Sequence, residues 1–161
     1  MLAKCKWKSY DVDMRDHNRS GCPINLALEI LGDRWSLLIL RDMIFGGKRT
    51  YNQFLDSDEK IATNILRDRL QGLVQAGLLT RAADPAHKQR ITYHLTESAI
   101  QLVPTLVHLG YWGQKTLPAA PPLAANARDI FAGGPPAWEE LMATLRHVHL
   151  AYGRLGPVVA G

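Results

Sequence analysis

Asn64, Arg67, Gln71 and Gln75 recur three and four positions apart in the stretch IATNILRDRLQGLVQAG, from Ile61 to Gly77. At 100° per residue they share one face of a helix, with Thr63 at its border near the N-terminus. Ile65, Leu66, Leu70 and Leu73 form the opposite face, which also takes in Ala62 and Arg69. Asn and Gln amides pair bidentately with adenine, and the Arg fork with guanine, so such an outer face can read base edges in a DNA major groove. Any solvated helix face carries similar residues. What separates the two readings is the setting of this helix in the chain.

That setting is basic and polar on both sides. Lys48, Arg49, Thr50 and Gln53 stand at or before the start of a short helix, where phosphates are favourably met. His87, Lys88 and Arg90 belong to a hairpin that can reach phosphates or a minor groove. Arg69 falls on the core side of its helix and is expected to pair with a carboxylate such as Asp42 or Glu29.

The elements that position these groups follow from periodicity and punctuation. Pro23 suits a first helical position, and Ile24, Leu26, Ala27, Ile30 and Leu31 recur at helical spacing until Gly32, which predicts a helix over 23–31. Asp33 caps a second helix that is apolar almost all round (Trp35, Leu37–Leu40, Met43, Ile44) and so central to the core. Gly46-Gly47 ends it. Thr50 caps a short helix with Tyr51, Phe54 and Leu55; Asp56–Lys60 turns the chain into the helix of Ile61–Gly77. The period then changes to two: Leu78–Arg81 and Arg90–Leu95 read as strands joined by Asp84-Pro85-Ala86-His87-Lys88. Thr96 caps a long helix to 117 that Pro104 can kink. The stretch 118–136, dense in Pro, Ala and Gly, reads as a tether before a last helix from Ala137 to Tyr152.

The fold class is therefore mainly α with a small β-hairpin, in the element order of a winged helix-turn-helix. Its expected parts are an N-terminal arm over 1–21 with a short dimerisation helix, a DNA-binding domain over 22–117, a linker over 118–136, and a C-terminal helix and tail over 137–161. Composition agrees with a globular protein: 161 residues, 47% hydrophobic and 21% charged, with a formal net charge of +4 that permits nucleic-acid binding without requiring it. No apolar run is long enough to span a membrane, and the first residues lack the apolar centre of a secretory signal, so a cytoplasmic chain with reduced thiols is expected. Two cysteines, Cys5 and Cys22, make no disulfide framework, and no Cys/His cluster offers a metal site. His147 and His149, two apart on a helix, point to different faces. The sequence calls for no cofactor, and without a Gly-rich phosphate loop, HExxH or GxSxG an enzyme is not expected.

Residues 22–113 resemble an HxlR-type transcriptional regulator, a bacterial winged-helix family related in architecture to MarR-type regulators. The pieces that carry the resemblance are Cys22-Pro23, GDRWSLLILR from Gly32 to Arg41, the stretch Ile61 to Leu78, and Tyr93-His94-Leu95-Thr96. It implies a homodimer reading an inverted repeat in double-stranded DNA, joined through terminal helices. Here those are the helix 97–117 and the residues before Cys22. Three positions depart from the family pattern. Ala62 stands where relatives carry a capping Ser, so the cap must come from Thr63 or another group. Thr50-Tyr51 replaces an Arg-Phe pair, and Ala86–Gln89 lacks paired prolines.

Several relatives sense oxidants or electrophiles through the cysteine that opens the domain, the position of Cys22. The helix N-terminus expected there lowers a thiol pKa, whereas a packed, inert cysteine is the competing reading. A small-molecule effector is a further expectation, with the tryptophans as pocket or simply as core. The competing function is a winged-helix protein-interaction module, which would expose apolar anchors on the helix of residues 61–77 instead of Asn64, Arg67, Gln71 and Gln75.

Overall fold

A computed structural model describes residues 21–84 and 87–151. The expected arm, apart from Gly21, and the tail after Ala151 lie outside the described residues. Helices α1 (Pro23–Leu31), α2 (Arg34–Ile44), α3 (Tyr51–Leu55) and α4 (Thr63–Gln75) precede strands β1 (Leu79–Asp84) and β2 (His87–Leu95). Helices α5 (Glu97–Ile100), α6 (Val103–Thr116), α7 (Pro121–Ala132) and α8 (Gly134–Leu150) follow. No helix among the described residues is long and apolar enough to cross a membrane.

The core forms around α2, as its all-round apolar sequence requires. Ile39, Leu40, Met43 and Ile44 are buried against Phe54 of α3, Leu66, Leu70 and Leu73 of α4, and Leu79 and Leu95 of the hairpin. Asp33 starts α2 as expected: its Oδ1 accepts from the N–H groups of Trp35 (2.9 Å) and Ser36 (3.0 Å), satisfying two donors that the first turn leaves open. Gly77 adopts φ +72°, a left-handed conformation that favours glycine, and so lets the chain leave α4 and enter β1 with three residues between them. The strands are antiparallel, pairing Leu79 with Leu95 and Arg81 with Tyr93. Both extend further toward the tip than the sequence suggests, so His87 and Lys88 belong to β2 rather than to turn material. Thr50 bridges Thr92, and the Tyr93 N–H donates to the Arg49 carbonyl at 2.8 Å, which fastens the loop before α3 to the wing.

Two expectations about the second half are corrected. The long helix of 97–117 is broken at Gln101-Leu102 into α5 and α6, with Pro104 in the first turn of α6, where a missing N–H costs nothing. The stretch taken as a tether is mostly helix: Pro121-Pro122 open α7, and LAANARDIFA supplies good helix formers behind them. Likewise α8 begins at Gly134, with Pro135-Pro136 in its first turn. Composition suggested a linker because proline marks a helix start as readily as a break. What holds α7 in place is tertiary: Phe131 stacks on Tyr111 of α6 at 3.8 Å, and the Trp138 Nε1–H of α8 donates to the Ile130 carbonyl at 2.9 Å.

Candidate nucleic-acid interface

Helix α4 buries Leu66, Leu70 and Leu73 and leaves Thr63, Asn64, Arg67, Gln71 and Gln75 exposed, so the two faces fall where the 100° steps put them. Asp68 is also exposed, on the same outer side, and the sequence reading passed over it. The same stepping places it beside Asn64. Its carboxylate can accept from a cytosine amino group and repels phosphate, so it bears on base preference rather than on general affinity.

The start of α4 is held in an unexpected way. Ala62 is its N-cap and offers no side-chain bond, and Thr63 does not supply one in its place. Instead the Tyr51 hydroxyl of α3 donates to the Thr63 carbonyl at 2.7 Å, tying the first turn of α4 to α3. Lys60, with φ +52°, takes the left-handed conformation in the turn just before. Arg69 pairs with Asp33, Nε to Oδ1 at 3.5 Å, and not with Asp42 or Glu29. The N-cap of α2 thus also meets the middle of α4, a contact between elements that spacing cannot reveal.

Lys48 is the clearest correction among the phosphate candidates. Its Nζ donates to Asp42 Oδ2 at 2.8 Å and to Ser57 Oγ at 2.6 Å, turning the ammonium inward. Asp42 is buried and also accepts from Arg41, whose guanidinium reaches Glu59 in the turn before α4. Burial pushes the Asp42 carboxyl up, but Lys48, Ser57 and Arg41 together outweigh it and hold the group below its ordinary value. Their shared role is to lock the end of α2 to the turn that launches α4. A carboxylate six residues before a lysine is the available signal, but helical spacing does not reveal the pair because Asp42 lies in α2 and Lys48 in the loop beyond it.

Of the other candidates, Thr50, Gln53, His87 and Arg90 line one groove, and the Lys88 side chain lies outside the described residues. Gln53 Oε1 closes the start of α3, accepting from the Arg49 and Thr50 N–H groups at 2.9 and 3.0 Å. An open groove of about 800 Å³ separates α3 from the wing, with Thr50, Asn52 and Gln53 on one wall and His87, Arg90 and Tyr93 on the other. Arg90 is exposed and lies 3.7 Å from Asp84, a loose surface pair that leaves its charge available to an anion. Arg49 is half-buried at the junction of the two walls. The result is a polar helix face flanked by a groove with cationic side chains, built on a rigid apolar base.

Cys22 is exposed at the N-cap of α1, where hydrogen bonds from the Asn25 and Ile24 backbones lower its thiol pKa. No group of three or more His, Cys, Asp or Glu among the described residues is arranged to hold a metal ion. His147 is exposed and His149 buried, on different faces as expected.

A family model described as HxlR-like helix-turn-helix matches residues 30–121. The uncharacterised HTH-type transcriptional regulator Rv3095 of Mycobacterium tuberculosis is 38% identical over 102 residues, a match covering 63% of this chain and 63% of that protein. YdeP of Bacillus subtilis, also an uncharacterised HTH-type transcriptional regulator, is 31% identical over 104 residues, 65% of this chain and 80% of its own. Among solved structures, PA1607, a candidate transcription factor, superposes with a TM-score of 0.58 at 34% identity, covering 65% of this chain and 71% of that one. The redox regulator HypR in its oxidised form gives a TM-score of 0.55 at 25% identity, covering 61% of this chain and all of that one.

Proposed function

We propose that this chain, which belongs to the HxlR-like helix-turn-helix family of transcriptional regulators, acts in the cytoplasm as a homodimer that reads an inverted repeat in double-stranded DNA. Thr63, Asn64, Arg67 and Gln71 contact base edges in the major groove. Arg49, Thr50, Gln53, His87, Lys88 and Arg90 meet the flanking backbone, and Lys48 leaves that set because it is committed to Asp42. The observation that carries the reading is the outer face of α4, which exposes amide and guanidinium groups and no apolar anchor. The interaction-module reading needs the opposite surface there.

The dimer is supported by where apolar side chains are left uncovered. Helix α1 buries none of its residues, with Ile24 71% and Leu28 57% exposed, and an isolated nine-residue helix of this composition is marginal in water. On α6, Leu109 and Trp112 are exposed, while Tyr111, on another side, stacks on Phe131 of α7. A second copy that covers α1 and the open side of α6 makes an isologous interface and sets two α4 helices about one DNA turn apart.

Cys22 gives this regulator a second input, an oxidant or electrophile. The supporting observation is an exposed thiol whose pKa a helix N-terminus lowers; HypR, a redox regulator, shares the fold. Alkylation by iodoacetamide at pH 7 is expected to run faster at Cys22 than in a denatured control, and an equal rate removes the claim.

The deciding experiment is fluorescence anisotropy on the DNA upstream of the chain's own coding region against a scrambled duplex, at two salt concentrations. Preference for the upstream DNA is expected. Equal, steeply salt-dependent binding to both leaves only a basic surface, and no binding at low salt returns the interaction module.

A further inference from the structure

Helix α8 lies beyond the segment that matches the family, yet it is packed on the base of the wing. At the contact, His94 of β2 and His149 of α8 are 2% and 3% exposed, with ring centroids 5.9 Å apart in an edge-on arrangement. The Leu95 N–H, at the end of β2, donates to His149 Nδ1 at 3.3 Å. An Nδ1 that accepts carries no proton, so the bond fixes His149 as the neutral ring protonated at Nε2. On the other side, His94 Nε2 shares a hydrogen bond of 3.0 Å with the Thr92 hydroxyl, which also donates to the Ala82 carbonyl of β1, and Thr92 bridges Thr50 at the start of α3. One line of contacts therefore runs from α8 through both wing strands to the groove wall.

We propose that His149, with His94, is a positioning pair for the wing: with both rings neutral, α8 clamps the root of β2, and a proton taken up by His149 breaks the clamp and loosens the wing. The consequence for DNA affinity rests on the DNA reading proposed above. The charged surroundings favour release once a proton arrives. Arg49, from the loop before α3, bears on both rings, and His94 bears on His149. Glu97 of α5 is held by Arg146 of α8 at 3.0 Å and so is committed elsewhere. His147 of α8 is exposed to solvent, while His108 of α6 stands beside Trp138 at the opposite end of α8, where α7, which carries Arg128 and Asp129, also packs. Burial first, then His94 and Arg49, push His149 down to about 4 from an ordinary 6.5. A group so depressed leaves the closed state unaffected above its unfolded value and destabilises it as pH falls from about 6.5 toward 4.

Hydrogen exchange of the full-length protein at pH 7 and pH 5, corrected for intrinsic exchange, tests this without any variant. Protection of residues 141–151 is expected to fall about twenty-fold, the linkage value for a histidine moving between 6.5 and about 4, together with protection of β2 and with little change in α2. His149→Gln, which keeps an acceptor and cannot titrate, is expected to flatten that fall. Wild-type DNA affinity should drop over the same window. Unchanged protection of α8, a fall shared equally by α2, or an α8 that opens while β2 stays protected overturns the clamp. If α8 and β2 open together in a protein that binds no DNA at any pH, the clamp stands and the DNA reading fails.

Discussion

Arg67 sits on the exposed face of α4, one turn from Asn64 and Gln71, and its worth depends on what it touches. If it reads a base, Arg67→Ala costs about 1–3 kcal/mol of preference for the operator over random DNA. Competition anisotropy checks this, and equal weakening on both DNAs reassigns Arg67 to phosphate. Asp42 works at the same scale through geometry. Its carboxylate gathers Arg41, Lys48 and Ser57 beneath the turn that launches α4. Asp42→Asn is expected to lower stability by about 1–3 kcal/mol at pH 7, because it weakens bonds to charged donors in a buried setting. The sign of the pH effect follows from its depressed pKa. The stabilisation is present above the unfolded value of 3.8 and is lost as pH falls through the lower folded value. Urea melts at pH 7 and pH 3 should therefore separate the two proteins by more at the first pH than at the second.

The wing and α3 act as elements, through the groove they form. Arg90 projects from β2 toward that groove and is held only by a 3.7 Å pair with Asp84. Arg90→Ala is expected to weaken binding to all DNAs alike and to reduce the slope of log affinity against log salt by about 1. A titration over several salt concentrations measures it, and an unchanged slope takes the hairpin out of the contact set. The hairpin has just two strands, too few to be stable alone. Its rigidity comes from the Arg49–Tyr93 backbone bond on one side and α8 on the other.

For the whole molecule, the uncovered apolar side chains on α1 and α6 mean that a monomer leaves hydrophobic surface in water. Sedimentation of the wild type is expected to give twice the chain mass of 17.9 kDa. A charge placed in that surface, Leu28→Glu or Trp112→Glu, should return the mass of one chain and abolish tight operator binding while leaving the circular dichroism of the domain intact. A variant that stays dimeric moves the interface elsewhere.

The sequence alone determined the order of helices and strands up to Leu95, the caps at Asp33 and Thr96, the two faces of α4 and the family. Each is a local pattern, written by periodicity or by a single capping residue within a few positions. The tertiary structure decided what depends on distant neighbours. It turned Lys48 inward to Asp42, paired Arg69 with Asp33 across two helices, and tied the uncapped first turn of α4 to α3 through the Tyr51 hydroxyl. It also made a helix of a Pro- and Ala-rich stretch and set His149 against His94, 55 positions earlier in the chain. A proline run fits both a tether and a helix start, and only the aromatic shelf of Tyr111, Phe131 and Trp138 selects between them, because burying those rings stabilises the helix that presents them.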